Sequence, residues 1–245
     1  MKTLPTKRPR ETRSDATRSA ILQAAVREFS LHGLSGARID EIAAVAKANK
    51  ALLYYYFKSK QGLYAAALEA VSEKALQDML AALNSQFSPG ERVLRAALTH
   101  FDRILAQQEF QSLMQQEMMR LRQGGQTTMP DFFRKAFRPA IEKMLTTIQE
   151  GIAARELYPA DPMQVMYVLF GANVFYFLSA PVLQAAISFH PMAPAAIRKR
   201  RREAIRLLGS ALFRNRAHGA TLAARVLATM PMPSIKEFKV RRKTP

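Results

Sequence analysis

The fold is decided by the stretch from Ile39 to Lys60, IDEIAAVAKANKALLYYYFKSK. Its apolar residues recur at the spacing at which two short crossed helices bury side chains, and the small Ala43 falls where such helices come closest. We predict helices over 39–46 and 50–56, joined by a turn of about three residues and followed by a third helix from Lys60. The second helix of such a helix-turn-helix can enter the major groove of DNA.

A pattern of apolar, aromatic and basic residues ends this stretch and extends upstream of it. The ending is Leu53-Tyr54-Tyr55-Tyr56-Phe57-Lys58-Ser59-Lys60, and the upstream residues are Ala24, Ala25, Phe29, Gly33, Ile39, Ile42, Ala43 and Ala46. Over about residues 14–64 this pattern resembles the N-terminal domain of the TetR family of bacterial transcription regulators. The Leu-Tyr-x-Tyr-Phe-x-Ser-Lys ending is its most specific part.

The resemblance implies which residues would meet DNA. Lys50, Ala51 and Leu52 would open the recognition helix and face base edges, and the tyrosines would lie near the backbone and bases. Lys60, at the start of the next helix, would hold a phosphate. The full candidate set for double-stranded DNA is Arg38, Lys47, Asn49, Lys50, Ala51, Leu52, Tyr54, Tyr55, Tyr56, Lys58 and Lys60.

Two positions depart from the family's pattern. Lys47 stands at the turn, where the family usually has a glycine with positive φ. A residue with a Cβ costs about 1 kcal/mol there, and this one adds a cation beside the DNA-facing side. Ala37 stands where a threonine often caps the second helix, so we expect that capping hydrogen bond to be missing.

The chain of 245 residues has a formal net charge of +18, and the charge is unevenly distributed. Residues 1–64 carry +7, residues 65–190 carry −1 and residues 191–245 carry +12. A basic N-terminal domain is expected of a phosphate-binding surface. The basic C-terminus would add non-specific DNA affinity, meet an acidic surface, or remain a solvated tail.

Helical spacing continues after the predicted recognition helix, and no segment shows sustained strand alternation. The prediction is therefore an all-α chain. We expect helices over 60–86, 91–106, 109–122, 130–155 (kinked or split at Pro139), 162–181 and 195–214. The expected domains are a basic disordered arm (1–13), a three-helix helix-turn-helix domain (14–64), a helical ligand-binding and dimerisation domain (65–214) and a basic tail (215–245).

Phenylalanine and methionine are concentrated on the middle helices. Such side chains form either a packed core or an adaptable apolar cavity. The resemblance places an effector pocket between the middle helices, and the lack of a charged cluster favours a small apolar or aromatic effector. The candidate lining residues are Phe101, Phe110, Met114, Met118, Phe133 and Phe137.

Residues 162–197 contain no charged side chain, and 165–183 is nearly all apolar. A segment of that length could span a bilayer, but the spread of basic residues on both sides disfavours a single span. The resemblance implies instead that this helix and the next pair with their copies in a second subunit. The candidate interface residues are Phe170, Val174, Phe177, Leu178, Ile205 and Leu208.

Enzyme and metal-site patterns are not found. The four histidines are scattered, and the chain has no cysteine, no glycine-rich phosphate loop and no nucleophile-elbow sequence. We expect no cofactor, no metal and no signal peptide, and hence a cytoplasmic protein. The predicted function is a homodimeric repressor, released by a small ligand from a palindromic operator. The alternatives are an architectural DNA-binding protein without an effector and a membrane-tethered protein.

Overall fold

The computed structural model describes residues 13–124 and 135–233, and every regular element in these ranges is a helix. The all-α prediction is confirmed. In chain order the helices are α1 (Arg13–Gly36), α2 (Ile39–Val45), α3 (Lys50–Phe57), α4 (Lys60–Leu83), α5 (Pro89–Ala106), α6 (Gln108–Arg122), α7 (Arg138–Ala153), α8 (Pro162–Ile187), α9 (Pro194–Leu212) and α10 (Arg216–Thr229).

The helices form two compact units. The first unit contains α1 to α3, the part of α4 up to Ser72, and α6 from Glu109 onward; the second contains the rest of the described chain. This division differs from the predicted boundary at residue 64. The difference arises because α6, which is distant in sequence, packs with the first unit.

Buried apolar side chains of four helices form the core of the first unit. Phe29 of α1, Ile42 of α2, Leu53 of α3 and Leu63 of α4 all have almost no exposed surface. Each such side chain contributes about 1.5–3 kcal/mol on burial. Gly33, with φ 66°, breaks the regular path of α1, since glycine adopts this left-handed region at little cost.

Helix α6 is attached to the rest of the first unit by one buried and one partly buried hydrogen bond. The Tyr64 hydroxyl on α4 donates to Glu117 Oε1 on α6 at 2.6 Å, and Gln116 Nε2 donates to the backbone oxygen of Ser30 on α1 at 3.0 Å. Burial raises the pKa of Tyr64, as does the hydrogen bond to Glu117. The phenol therefore remains a donor at physiological pH, and the contact between α4 and α6 persists.

Helix α5 is the central element of the second unit. Ser88 caps its start, accepting from the Glu91 amide at 3.4 Å, and Pro89 occupies its first turn. Packing against α7, α8, α9 and α10 buries apolar residues along its length. The larger apolar cluster of this unit includes Val93, Leu94, Ala97, Leu98, Met144, Ile148, Leu169, Ile205, Leu222 and Val226.

Helix α10 corrects the prediction of a basic tail over 215–245. Asn215 caps this helix, and Leu222, Ala223 and Val226 are buried against the larger cluster. Its basic residue Arg225 is also used within the protein, since Nη1 donates to the buried carboxylate of Glu91 at 3.0 Å. Residues 234–245 of the predicted tail lie outside the described residues.

Prolines mark one helix boundary but not another. Pro139 lies in the first turn of α7, so the predicted long helix over 130–155 is split there; its residues 130–134 lie outside the described ranges. Pro181 was expected near the end of α8, yet the helix continues to Ile187. A proline within a helix removes one backbone hydrogen bond, and the helix bends or continues when its neighbours hold it.

Helices α9 and α10 cross at a pair of glycines. A Cβ on Gly219 would lie 2.0 Å from the backbone oxygen of Gly209, and a Cβ on Gly209 would lie 2.6 Å from the oxygen of Gly219. Neither backbone can tolerate a side chain at that distance. Arg201 of α9 adds a second connection, since it forms a bidentate pair with Asp102 of α5 at 2.8 Å and also donates to the Met230 backbone.

Candidate nucleic-acid interface and subunit surface

The helix-turn-helix is held together by the residues whose burial the sequence predicts. Ile42 and Leu53 are buried, and Ala43 is almost fully buried at the crossing of α2 and α3. Asn49 begins α3, and its Oδ1 accepts a hydrogen bond from the Leu52 amide at 2.9 Å. This cap satisfies one of the amides left free at a helix start. The predicted DNA contact Asn49 thus uses its side-chain oxygen within the protein.

The turn between the two helices has a left-handed residue. Lys47 has φ 52°, and the adjacent amide of Ala48 donates to the Ala43 oxygen at 2.9 Å. The positive φ at this position is confirmed, with an expected cost of about 1 kcal/mol for a residue that has a Cβ. The side chain of Lys47 is exposed. Helix α2 begins after Arg38 without a side-chain cap.

The first cation of α3 has an acidic neighbour. Lys50 Nζ lies 2.7 Å from Asp40 Oδ1, across the turn between α2 and α3, and both side chains are more than half exposed. The hydrogen bond to Asp40 raises the pKa of Lys50, so the ammonium stays charged. Sequence reasoning missed Asp40. The available signal was an acidic residue in the first turn of α2, on the side that faces the predicted recognition helix.

The three consecutive tyrosines have different surroundings. Tyr54 and Tyr55 are exposed, whereas Tyr56 is half-buried and its hydroxyl lies 3.0 Å from Ser14 Oγ on α1. Tyr56 therefore connects α3 to α1, and the exposed phenols available to a ligand on this face are those of Tyr54 and Tyr55. Lys58 Nζ donates to the backbone oxygen of Tyr55 at 3.1 Å and lies 5.7 Å from the centre of the Tyr55 ring.

Lys60 stands at the start of α4, as predicted, and has an internal partner. Its Nζ donates to the backbone oxygen of Ser35 at 3.2 Å, near the end of α1. An ammonium has three donors, so this contact leaves two for a phosphate. Gly62 follows closely, and a Cβ there would lie 2.2 Å from the Phe57 backbone oxygen. The end of α3 therefore packs directly against the first turn of α4.

The structure brings most of the candidate DNA-binding residues to one exposed region around the turn and α3. Asn49, Tyr56 and Lys60 take part in internal hydrogen bonds, and Leu52 is half-buried. The members with exposed side chains are Arg38, Lys47, Asn49, Lys50, Ala51, Tyr54, Tyr55 and Lys58. Cations beside aromatic rings on an exposed helix suit the phosphates and base edges of a DNA groove.

The candidate effector-pocket residues that the structure describes are divided between the two units. Phe110 and Met114 are buried on α6, whereas Met118 on the same helix is 56% exposed. Phe101 is buried in the second unit, where its ring lies 5.2 Å from that of Phe177. Phe137 is half-buried just before α7, and Phe133 lies outside the described residues.

A groove of about 630 Å³ lies elsewhere in the second unit, between α9 and α10. It is lined by Arg202, Arg206, Ser210, Ala220, Ala224, Leu227 and Ala228. Glu203 lies 2.9 Å from Arg202 and 3.7 Å from Arg206, so its single negative charge offsets part of the charge of the two arginines. In the parts of the chain that the structure describes, no three histidine, aspartate or glutamate side chains converge as metal ligands would.

The candidate subunit-interface residues face mostly inward. Ile205 is buried in the larger cluster, Phe170 and Leu208 pack against that cluster, and Phe177 packs against Phe101. The assignment of Ile205 to an interface is therefore wrong, and Val174 is half-buried. The periodicity is uninformative because α8 is apolar on every side, so spacing alone does not distinguish its outer face from its inner one.

The outer face of α8 is apolar and uncovered within the single chain. Among the proposed residues only Leu178 lies on it, together with residues that sequence reasoning missed: Val168, Phe175 and Val182. Their exposed fractions lie between 55% and 67%, and Leu207 of α9 is exposed to the same degree. Helix α8 is also long and apolar enough to cross a membrane, a property that core and interface helices share.

Two family models match the chain. The model described as bacterial regulatory proteins, tetR family, matches residues 21–67, and that described as tetracyclin repressor-like, C-terminal domain, matches residues 89–208. The first contains α2 and α3, and the second extends from α5 into α9.

Related proteins agree with these matches. The HTH-type transcriptional repressor NicS of Pseudomonas putida is 30% identical over 172 residues, which is 70% of this chain and 79% of that protein. The regulator RutR of Escherichia coli K12 is 27% identical over 175 residues, 69% of this chain and 78% of that protein. The repressor SCO4008 of Streptomyces coelicolor is 54% identical over 55 residues, only 29% of its own length.

Solved structures have the same fold. A TetR/AcrR-family regulator from Thermobifida fusca superposes with a TM-score of 0.59 at 25% identity, covering 78% of this chain and 95% of that one. A gamma-butyrolactone receptor, described as ArpA-like, superposes with a TM-score of 0.62 at 20% identity, covering 88% and 98%. The chain therefore belongs to the TetR family, and it is a DNA-binding transcription regulator with an N-terminal helix-turn-helix domain and a C-terminal helical domain.

Proposed function

We propose that the protein is a homodimeric repressor that binds a near-palindromic operator in the cytoplasm and releases it when a small molecule binds its C-terminal domain. The observation that carries the proposal is that one chain has both an exposed, cationic α3 and an uncovered apolar face on α8. The relatives NicS and SCO4008 are named repressors, which supports the sign of regulation.

On DNA, the amino-terminal part of α3 would lie in the major groove. Ala51 and the neighbouring Lys50 would face base edges, while Lys47, Lys58 and Arg38 would contact phosphates on either side. Lys60 would contact a phosphate with the donors that its bond to Ser35 leaves free. Two copies of α3 in a dimer would meet half-sites about 34–36 Å apart, or a multiple of that distance.

In the dimer, the outer face of α8 and the adjacent Leu207 of α9 would be covered by the same surface of a second subunit. Apolar patches of this kind on a single chain mark interaction sites. A self-complementary patch related by a two-fold axis closes into a dimer rather than a filament. Effector binding would then favour a dimer geometry in which the two α3 helices no longer match the operator spacing.

The test is genome-wide mapping of bound sites, followed by footprinting of one site. We expect a near-palindromic sequence, and higher transcription of the neighbouring genes when the regulator is deleted. A binding profile without a preferred palindrome would instead support the architectural alternative. Lower transcription after deletion would show an activator.

One substitution at each end of α3 separates base contacts from phosphate contacts. Lys50→Ala should change which half-site sequence is preferred. Lys58→Ala should weaken binding to all sequences and reduce the slope of affinity against salt by about one unit. A Lys58→Ala protein with an unchanged salt slope would contradict its assignment to a phosphate.

A further inference from the structure

Asn173 is a buried amide in the middle of the largely apolar α8. Its side chain is 5% exposed and faces α5, where Nδ2 donates to the backbone oxygen of Ala97 at 3.0 Å. The same nitrogen lies 3.4 Å from Nδ1 of His100. A buried amide without hydrogen bonds would destabilise the fold by about 1–3 kcal/mol. The two contacts avoid this cost and so allow a polar residue at this position.

The two contacts determine the orientation of the amide and the tautomer of the imidazole. A backbone carbonyl only accepts, so the amide nitrogen of Asn173 must face Ala97 and its oxygen must point elsewhere. The second hydrogen of that nitrogen is then directed at His100 Nδ1, which accepts it and therefore carries no proton. The proton of a neutral His100 is consequently on Nε2.

This arrangement leaves one donor and one acceptor unused. Within the described part of the chain, neither His100 Nε2 nor Asn173 Oδ1 has a hydrogen-bond partner. Burial lowers the pKa of His100 to about 4, and the charge of Arg103 acts in the same direction. The imidazole is therefore neutral at physiological pH. Arg103 itself is paired with Asp78 at 2.7 Å, which offsets its charge.

Aromatic and aliphatic side chains surround the polar pair. The ring of His100 lies 4.5 Å from that of Phe170, which packs against the larger cluster of the second unit. One residue further along α5, Phe101 belongs to a smaller cluster that includes the rings of Tyr176 and Phe177. The pair thus lies where two apolar clusters meet. His100 retains partial exposure there, so the site is not sealed.

We propose that His100 Nε2 and Asn173 Oδ1 are the polar anchors of the effector site, and that the effector carries a neutral carboxamide or lactam group on an aromatic body. The inference rests on the proposed function, because it identifies the ligand class of that same regulatory domain. A carboxamide offers one acceptor and one donor, which complements the pair. A carboxylate offers only acceptors, so it would place an acceptor against Asn173 Oδ1. An ammonium offers only donors, so it would place a donor against His100 Nε2–H.

The test uses benzamide as the probe, with benzoate and N,N-dimethylbenzamide as matched comparisons. The full-length chain contains four histidines, so ¹⁵N-histidine labelling gives a spectrum in which His100→Phe identifies one set of signals. We expect His100 to be neutral and protonated on Nε2 at pH 7, and benzamide to shift its Nε2 resonance. The two comparison molecules should bind about tenfold more weakly, the effect of one lost hydrogen bond.

Variants then test the anchors. Asn173→Leu and His100→Phe should each weaken benzamide binding by about tenfold or more, whereas His190→Phe, which changes an exposed histidine, should leave it intact. If Asn173→Leu does not fold, the comparison of the three probes on the unaltered protein still decides the ligand class.

Several results would overturn the inference: a proton on Nδ1 of His100, a charged His100 at pH 7, benzoate binding as tightly as benzamide, no shift with benzamide, or an unchanged affinity for benzamide in folded Asn173→Leu. Operator binding measured in parallel separates the two proposals. Specific DNA binding without a benzamide response would refute the anchors alone. A benzamide response without specific DNA binding would refute the proposed function alone.

Discussion

Single residues of the helix-turn-helix serve folding and binding at once, and Lys47 shows the conflict between the two. Its left-handed backbone, with φ 52°, is unfavourable for a residue with a Cβ. Its exposed ammonium lies on the side of the turn that the proposal places against DNA. A family position usually held by glycine has thus gained a positive charge at a cost in stability.

We predict that Lys47→Gly raises the free energy of unfolding by up to about 1 kcal/mol, because the backbone strain is relieved. The same change should weaken DNA binding and reduce its salt dependence, since one cation is lost. Arg155→Gly is the matched control, because Arg155 also has a positive φ (57°) but lies in the second unit. Arg155→Gly should raise the free energy of unfolding without changing DNA binding. An equal loss of DNA binding in both variants would contradict this account.

His100 should make stability depend on pH. Burial lowers its pKa to about 4 in the folded protein, while the unfolded value is about 6.5. The unfolded chain therefore takes up a proton first as the pH falls, so stability is full above about pH 6.5 and decreases from there toward pH 4. Chemical denaturation at several pH values should show this decrease in His190→Phe. It should be smaller in His100→Phe, and an identical pH profile in the two variants would contradict the prediction.

Sequence patterns predicted the backbone strain at Lys47 and the burial of Ile42 and Leu53, because those depend on neighbours within one short motif. They did not predict that Tyr56 and Lys60 have internal partners. Those partners, Ser14 and Ser35, lie 42 and 25 residues away in sequence. A contact of that kind is set by how helices pack, which local spacing does not reveal.

At the scale of whole helices, α8 and α10 show what limits a sequence-based prediction. Helix α8 is apolar around its full circumference, so periodicity identified a helix but could not say which side meets the core. Helix α10 is short, rich in alanine and flanked by basic residues, and its buried face is only Leu222, Ala223 and Val226 with Gly219. Its positive charge suggested a tail because the acidic partner, Glu91, lies 134 residues earlier.

The outer face of α8 gives a prediction about assembly. Phe175→Glu places a carboxylate at the centre of the proposed interface, where burial without a partner costs several kcal/mol. Analytical ultracentrifugation should then show a folded monomer, with an unchanged helical circular dichroism spectrum. Leu31→Glu, at a leucine of α1 that is 59% exposed, is the control and should remain dimeric.

The inward-facing Phe170 supplies the contrast on the same helix. Phe170→Glu should unfold or strongly destabilise the second unit rather than dissociate a dimer, because Phe170 packs against the core. A Phe175→Glu protein that stays dimeric would place the interface on another surface.

For the molecule as a whole, the distribution of charge separates affinity from specificity. Residues 1–12 contain four basic and one acidic side chain, and residues 234–245 contain five basic and one acidic. These terminal segments follow no helical apolar pattern in the sequence. Charges of this kind strengthen binding to any phosphate backbone, whereas base edges are read by side chains held in a fixed geometry.

We predict that removing residues 1–12 and 234–245 lowers affinity for random DNA at low salt by more than it lowers the ratio of operator to random binding. Titrations of operator and scrambled duplexes at two salt concentrations measure both quantities. The single deletions serve as controls, since a basic N-terminal arm can also enter a minor groove. A specificity ratio that collapses while binding to random DNA is unchanged would contradict the prediction.

The packing of α10 against α5 also has a consequence for how the chain is made. A ribosome adds about 5–20 residues per second, so α5 leaves the exit tunnel several seconds or more before the residues that cover part of its apolar surface have been synthesised. Leu222 and Val226 lie more than 110 residues after Ser88, at the start of α5. The nascent second unit therefore passes through a period in which this surface is open to chaperones and to neighbouring nascent chains, and this period ends only when α10 docks at Gly209.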